Sequence, residues 1–197
     1  MLCGMIPSPD ESTIGEPAAT SDLSTVAAPS IYGPWADHQI PTDRSDWHPL
    51  VNRFYEYWRD IAPAGGLPGR QHVSPTDIVP LLPRVWMLDV IRSPLRFRYR
   101  LVGTAEVTTL GREVTGQWLD DVHPKFRDDP LLTARYRYIV EMGRPTWRHG
   151  PVRWDHDDRH RIVENCIVPL ASDGKTVDII FAISVLFYGD GTLASAG

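Results

Sequence analysis

Apolar side chains recur with a helical period between residues 46 and 61. Trp47, Leu50, Val51, Phe54, Tyr57, Trp58 and Ile61 share one side of a wheel drawn at about 100° per residue, and His48, Asn52, Arg53, Glu56, Arg59 and Asp60 take the other. Pro49 suits a first turn, and Pro63 with Gly65 and Gly66 supplies the stop. This amphipathic face is aromatic and uncharged, so a sheet or another chain must cover it. Ser74-Pro75-Thr76-Asp77 predicts a second, shorter helix, with Ser74 as cap and Asp77 completing a capping-box-like pair. Ile78, Leu81 and Leu82 form its apolar side, and Pro83 ends it.

The period then changes to two. Val85–Ile91 and Arg96–Gly103 predict strands joined by a turn holding Pro94; in the second, Phe97, Tyr99 and Leu101 face one way and Arg96, Arg98 and Arg100 the other. Thr104 is placed to cap a short helix through Leu110. Gly111 and Gly116 mark a loop, from which Trp118 and Leu119 pack back. Asp129-Pro130 opens a helix over 130–142, closed by Gly143 and Pro145. Its wide apolar arc holds a single charge, Arg135. Strands are predicted at 146–154, 161–170 and 176–188, with a polar turn at 155–160 and a hairpin signal at Asp173-Gly174. The last strand is apolar on both faces from Ile179 to Phe187, the mark of a central strand covered on both sides.

Composition changes this picture mainly at the N-terminus. Residues 1–43 hold six prolines and no Lys or Arg and carry −6, while the rest carries about +1, within a net charge of −5. Such a segment buries too little apolar surface to offset its ordering entropy. Residues 1–44 are therefore expected to be a disordered tail apart from docking of Ile31, Tyr32 and Trp35, and 189–197 a disordered C-terminus. A near-neutral body argues against a nucleic-acid partner. The apolar run at 179–188 is too short to span a bilayer as a helix, and the start has no signal-peptide pattern, so a cytoplasmic protein is expected. Cys166 reads as a buried free thiol.

Two strands, a helical stretch and a three-stranded meander form the topology of PAS domains. The segment SPTDIVPLLPRVWMLDVI, then FRYRLVGTAEVTTLGREVTGQWLDDV, closely resembles a bacterial subfamily of small, often single-domain PAS proteins. The matching features are a short helix ending in Leu-Pro, a strand ending in Asp89-Val90, Arg100 to Thr104, Gly111 and Gly116, the Gly-Arg-Pro at 143–145, and 169–178. The resemblance covers about 45–188. It implies an α+β fold: a five-stranded antiparallel sheet of order 2-1-5-4-3, helices over one face around a small-molecule cavity, and the helix 46–61 on the outer face or in a dimer.

It also implies a non-catalytic sensory module, signalling to a separate effector. Any ligand would sit between the sheet and helix 130–142. The candidate contacts are Tyr99, Trp118, Arg135, Tyr138, Ile139, Met142, Glu164 and Cys166; Trp47, Leu50, Phe54 and Trp58 are the candidate dimer surface. Arg135 either anchors an anionic group of a ligand or pairs internally with Glu164 or another acid, because an unpaired buried charge is costly. Alternation puts Glu164 and Cys166 on one face of their strand and Asn165 on the other, without saying which is inner. Asp89 and Arg100 are expected to form a structural ion pair. His156 and His160 have the spacing of a metal pair, but in a turn without an obvious third ligand. His123 and His149 lie off the helix where PAS haem ligands sit, and no cofactor is assigned. The alternatives are a small enzyme using Arg135 or Glu164 in a cone-shaped cavity, and an interaction domain with a filled core.

Overall fold

The computed structural model describes residues 31–153 and 160–194. Residues 1–30, residues 154–159, which include His156 of the expected polar turn, and 195–197 lie outside the described residues. Helix α1 spans Pro49–Asp60; the His48 ring accepts from the Leu50 amide at 3.2 Å and caps it. It starts later than the apolar pattern because His48 takes an extended backbone, with ψ 134, ahead of the proline. The Ser74 expectation is corrected. Pro75–Arg84 is a 3-10 helix that runs through Pro83, and the Ser74 hydroxyl pairs with Thr76 instead of capping. Prolines at 80 and 83 remove amide donors that an α-helix would need.

Five strands make up the sheet: β1 (Val85–Arg92), β2 (Leu95–Val102), β3 (Thr146–Pro151), β4 (His160–Leu170) and β5 (Ile179–Tyr188). They pair antiparallel in the order β2-β1-β5-β4-β3, as the resemblance implied. The β4–β5 turn is held by Asp173, whose carboxylate accepts from the Lys175 and Thr176 amides at 2.8 and 2.6 Å. Between β2 and β3 lie α2 (Thr104–Leu110), α3 (Leu119–Val122), α4 (Lys125–Asp128) and α5 (Pro130–Met142). Thr104 begins α2 without capping it; Gly103 takes the cap position. That glycine is required for another reason. A Cβ there would lie 2.3 Å from the Leu82 carbonyl oxygen and 2.4 Å from that of Pro83. Asp129 caps α5 through the Leu131 and Leu132 amides, and Gly143, at φ 61, closes it.

The alternation expected in β2 holds only in part. Phe97 and Tyr99 face the inner helices, but Leu101 packs on the opposite side with Met87. The register steps from Leu88↔Tyr99 to Met87↔Leu101, so Arg100 is one extra residue in β2. Such a bulge reverses the facing of the residues beyond it. Asp89 pairs with Arg100 at 2.9 Å, as expected, and also with Arg98 at 3.3 Å.

The strand β5 is buried on both faces. Ile180 and Ala182 join the inner core with α3, α4 and α5, and Ile179, Phe181, Ile183 and Val185 join an outer core under α1. Trp47, Phe54 and Trp58 belong to that outer core with exposures of 5%, 0% and 8%. Trp58 donates its indole N–H to the Pro169 carbonyl at 2.9 Å, and Leu50 is partly buried beside it. The proposed dimer surface of Trp47, Leu50, Phe54 and Trp58 is therefore corrected: the chain's own sheet covers it. Tyr55, which the helical wheel left off the apolar side, is buried there too, under the Arg44 guanidinium at 5.1 Å.

Residues from 31 onward are described, and Tyr32 and Trp35 pack on the domain while Ile31 is exposed.

Candidate functional site

The helix α5 turns Arg135 inward, where it is 1% exposed. Its Nε donates to Thr146 Oγ1 at 2.8 Å, Nη1 to Asn165 Oδ1 at 2.7 Å, and Nη2 to the Thr146 carbonyl at 3.3 Å. The Trp35 ring lies 4.8 Å from the guanidinium carbon. Burial pushes its pKa down to about 9, so it remains a cation at neutral pH. The partners are neutral, not Glu164 or another acid. Short, directed hydrogen bonds and the indole face take the place of water. Arg135 thus clamps α5 to β3 and β4.

Asn165 marks the inner face of β4, and Glu164 and Cys166 are on the other. Glu164 is 3% exposed; its Oε1 accepts from the His48 amide at 2.8 Å and from Trp147 Nε1 at 3.1 Å. It therefore ties the start of α1 to the sheet. Cys166 is buried in the outer core, with its thiol pushed up to about 12 by burial. Neither side chain shares a space with Arg135. Glu164→Ala strands two partly buried donors and is expected to cost about 1–2 kcal/mol, with Glu164→Gln costing less because its amide oxygen still accepts. Urea unfolding of both variants measures the difference.

The remaining candidates are scattered. Tyr99 is hydrogen-bonded to His123 Nε2 at 2.8 Å, and Tyr138 donates to the His38 carbonyl at 3.2 Å. Ile139 is fully buried core, whereas Met142 is 45% exposed at the end of α5. Trp118 lies beside β2 with the Arg96 guanidinium 4.2 Å above its ring. His149 packs against the edge of Phe187. Among the described residues no group of three or more His, Cys, Asp or Glu could hold a metal.

The structure instead opens a cavity of about 210 Å³ beside β2, lined by Leu95, Arg96, Phe97, Leu119, Asp120, Phe126, Arg127 and Thr133. Its floor is apolar: Phe97, Leu119 and Phe126 belong to the inner core, and Phe97 and Phe126 meet edge to face with ring centres 6.1 Å apart. Its mouth is charged. Arg96 donates to Asp120 at 2.8 Å, and Arg127 donates to the same carboxylate at 2.6 Å. Burial raises the Asp120 pKa, but the two guanidiniums outweigh it and leave the group below the usual carboxylate value. None of the eight expected ligand contacts lines this space. No local spacing in the sequence reveals that Asp120 pairs with arginines on other elements. The alternation of β2 did place Phe97 inside and Arg96 outside, which is the part of the signal that survives.

A family model for the PAS domain matches residues 47–130, from the start of the α1 region to the start of α5. No curated protein matches the chain. The match ends before β3, and the observed strand order supplies the rest. The matched segment and the strand order together support a PAS-like α+β fold. No helix among the described residues is long and apolar enough to cross a membrane.

Proposed function

We propose that the chain is a non-catalytic sensory module that takes a small, largely apolar ligand beneath the Arg96–Asp120–Arg127 mouth and signals to a separate effector. The observation that carries this reading is the cavity itself: apolar floor, charged rim and about 210 Å³ of space. That is below the roughly 300–1,000 Å³ of common ligand sites, so the occupant is small. An enzyme reading is less well supported, because Asp120 is held as a carboxylate by two guanidiniums, which suits a gate better than a general acid. The effector meets a surface other than the apolar face of α1, which is spent on the sheet.

Toluene is a fitting probe. Titrated into the protein, it is expected to shift the methyl signals of Leu95 and Leu119 saturably. Thr133→Trp, which places an indole across the opening, is expected to abolish those shifts while the fold persists. Methyl signals that stay still in the unaltered protein would remove the support for this cavity as the site.

A further inference from the structure

Residues 31–38 lie as a strap over α5 and the start of β3. Tyr32 donates to Glu141 at 2.8 Å and Trp35 Nε1 to the Leu131 carbonyl at 3.0 Å, both on α5. The Trp35 ring covers the guanidinium of Arg135. At its far end His38 is held twice: its carbonyl accepts from Tyr138, and its Nε2 accepts from the Trp147 backbone amide at 3.2 Å. The last contact sets a condition, since an imidazole accepts at Nε2 only when that nitrogen carries no proton.

We propose that the strap is a pH-operated cover for Arg135, docked while His38 is neutral and released when His38 takes a proton at Nε2. Protonation turns the acceptor into a donor facing the Trp147 amide. It also places a second cation near Arg135. The Trp35 ring, 5.1 Å from the imidazole, offers the imidazolium only part of what it loses, and no carboxylate acts on His38. On α5 the Tyr138 hydroxyl is spent on the His38 carbonyl, and Glu141 is engaged by Tyr32 and Arg137. On β3 the nearest charge is Arg148, another cation, turned to the Pro151 carbonyl. Asp37, next in the chain, is exposed. Burial first, and then Arg135, hold the His38 pKa below its ordinary 6.5. Linkage sets the sign. The docked pKa is lower than the undocked one, so docking is complete above 6.5 and weakens as pH falls through that value toward the docked pKa. Within that window the docking constant drops about tenfold per pH unit. Release uncovers the guanidinium face of Arg135 and the Trp147 amide on the sheet edge.

The test uses the whole chain labelled with nitrogen-15. The His38 ring nitrogens, the Trp35 indole N–H and the Trp147 amide are followed from about pH 8 to about pH 5. The expected result is that the Trp35 and Trp147 signals move together with His38, with a midpoint below 6.5. In His38→Gln, where a side-chain carbonyl accepts the same bond without titrating, both are expected to stay fixed. The proposal is overturned if His38 titrates while the strap signals stay still, if its midpoint lies at or above 6.5, or if His38→Gln titrates as the unaltered chain does. Should that variant not fold, the coupled movement in the unaltered chain decides alone.

Discussion

Arg135→Ala is expected to lower the melting temperature by about 9 °C, from a loss of about 3 kcal/mol at the few degrees per kcal/mol usual for a chain of this size. The change leaves Asn165 Oδ1, Thr146 Oγ1 and the Thr146 carbonyl without their donor in a site that water does not reach. It also opens a void under Trp35. Part of the loss is offset because a cation no longer has to be desolvated, which is why the figure falls at the low end for a broken buried charge. Arg135→Met separates the two contributions: it keeps most of the volume, so its deficit reports the stranded acceptors. Thermal unfolding of both variants is the measurement. A melting temperature within a degree of the unaltered protein, together with loss of a bound anion, would return Arg135 to the role of ligand anchor.

The second large effect is expected on the opposite side of the sheet. Phe54 has no exposed surface and meets Phe181 of β5 edge to face with ring centres 4.7 Å apart. Phe54→Ala is expected to cost about 4 kcal/mol, the sum of lost apolar burial and the cavity left behind. Because α1 packs on its own sheet, that loss is independent of protein concentration. A small loss of stability accompanied by conversion of a dimer to monomers in sedimentation equilibrium would show that the face is shared between chains.

The parts of the fold that were legible in sequence are those with strong local chemistry. Asp129 and Gly143 bracket α5, Asp173-Gly174 marks the β4–β5 turn, and the two-sided apolarity of β5 announces its central place. The bulge at Arg100 left no trace, because neither glycine nor proline marks it, and it displaced Leu101 from the face that strict alternation assigns. The facing of β4 was undetermined for a related reason: both Glu164 and Asn165 are polar and buried, each satisfied by a partner far away in the chain. The cavity escaped because its lining comes from β2, α3, α4 and α5 at once. In the strap, docking of Tyr32 and Trp35 was expected from their aromatic rings, but the partners of Trp35 and His38 lie about a hundred positions on. Pattern along the chain carries little information about such contacts.

The double burial of β5 has a consequence for strand pairing. In a sheet with one wet face, a slip of one residue is punished at once, because it turns apolar side chains into water. That safeguard is absent here, since Ile179 to Ile183 offers apolar side chains to either layer. Volume gives some discrimination, Ala182 facing one core and Phe181 the other. The polar marker is Ser184, whose hydroxyl accepts from Trp86 Nε1 at 2.9 Å in the inner layer. A one-residue slip would carry that hydroxyl into the outer core away from the indole. One serine and the Asp173 turn therefore guard an alignment that hydrophobicity alone would leave degenerate.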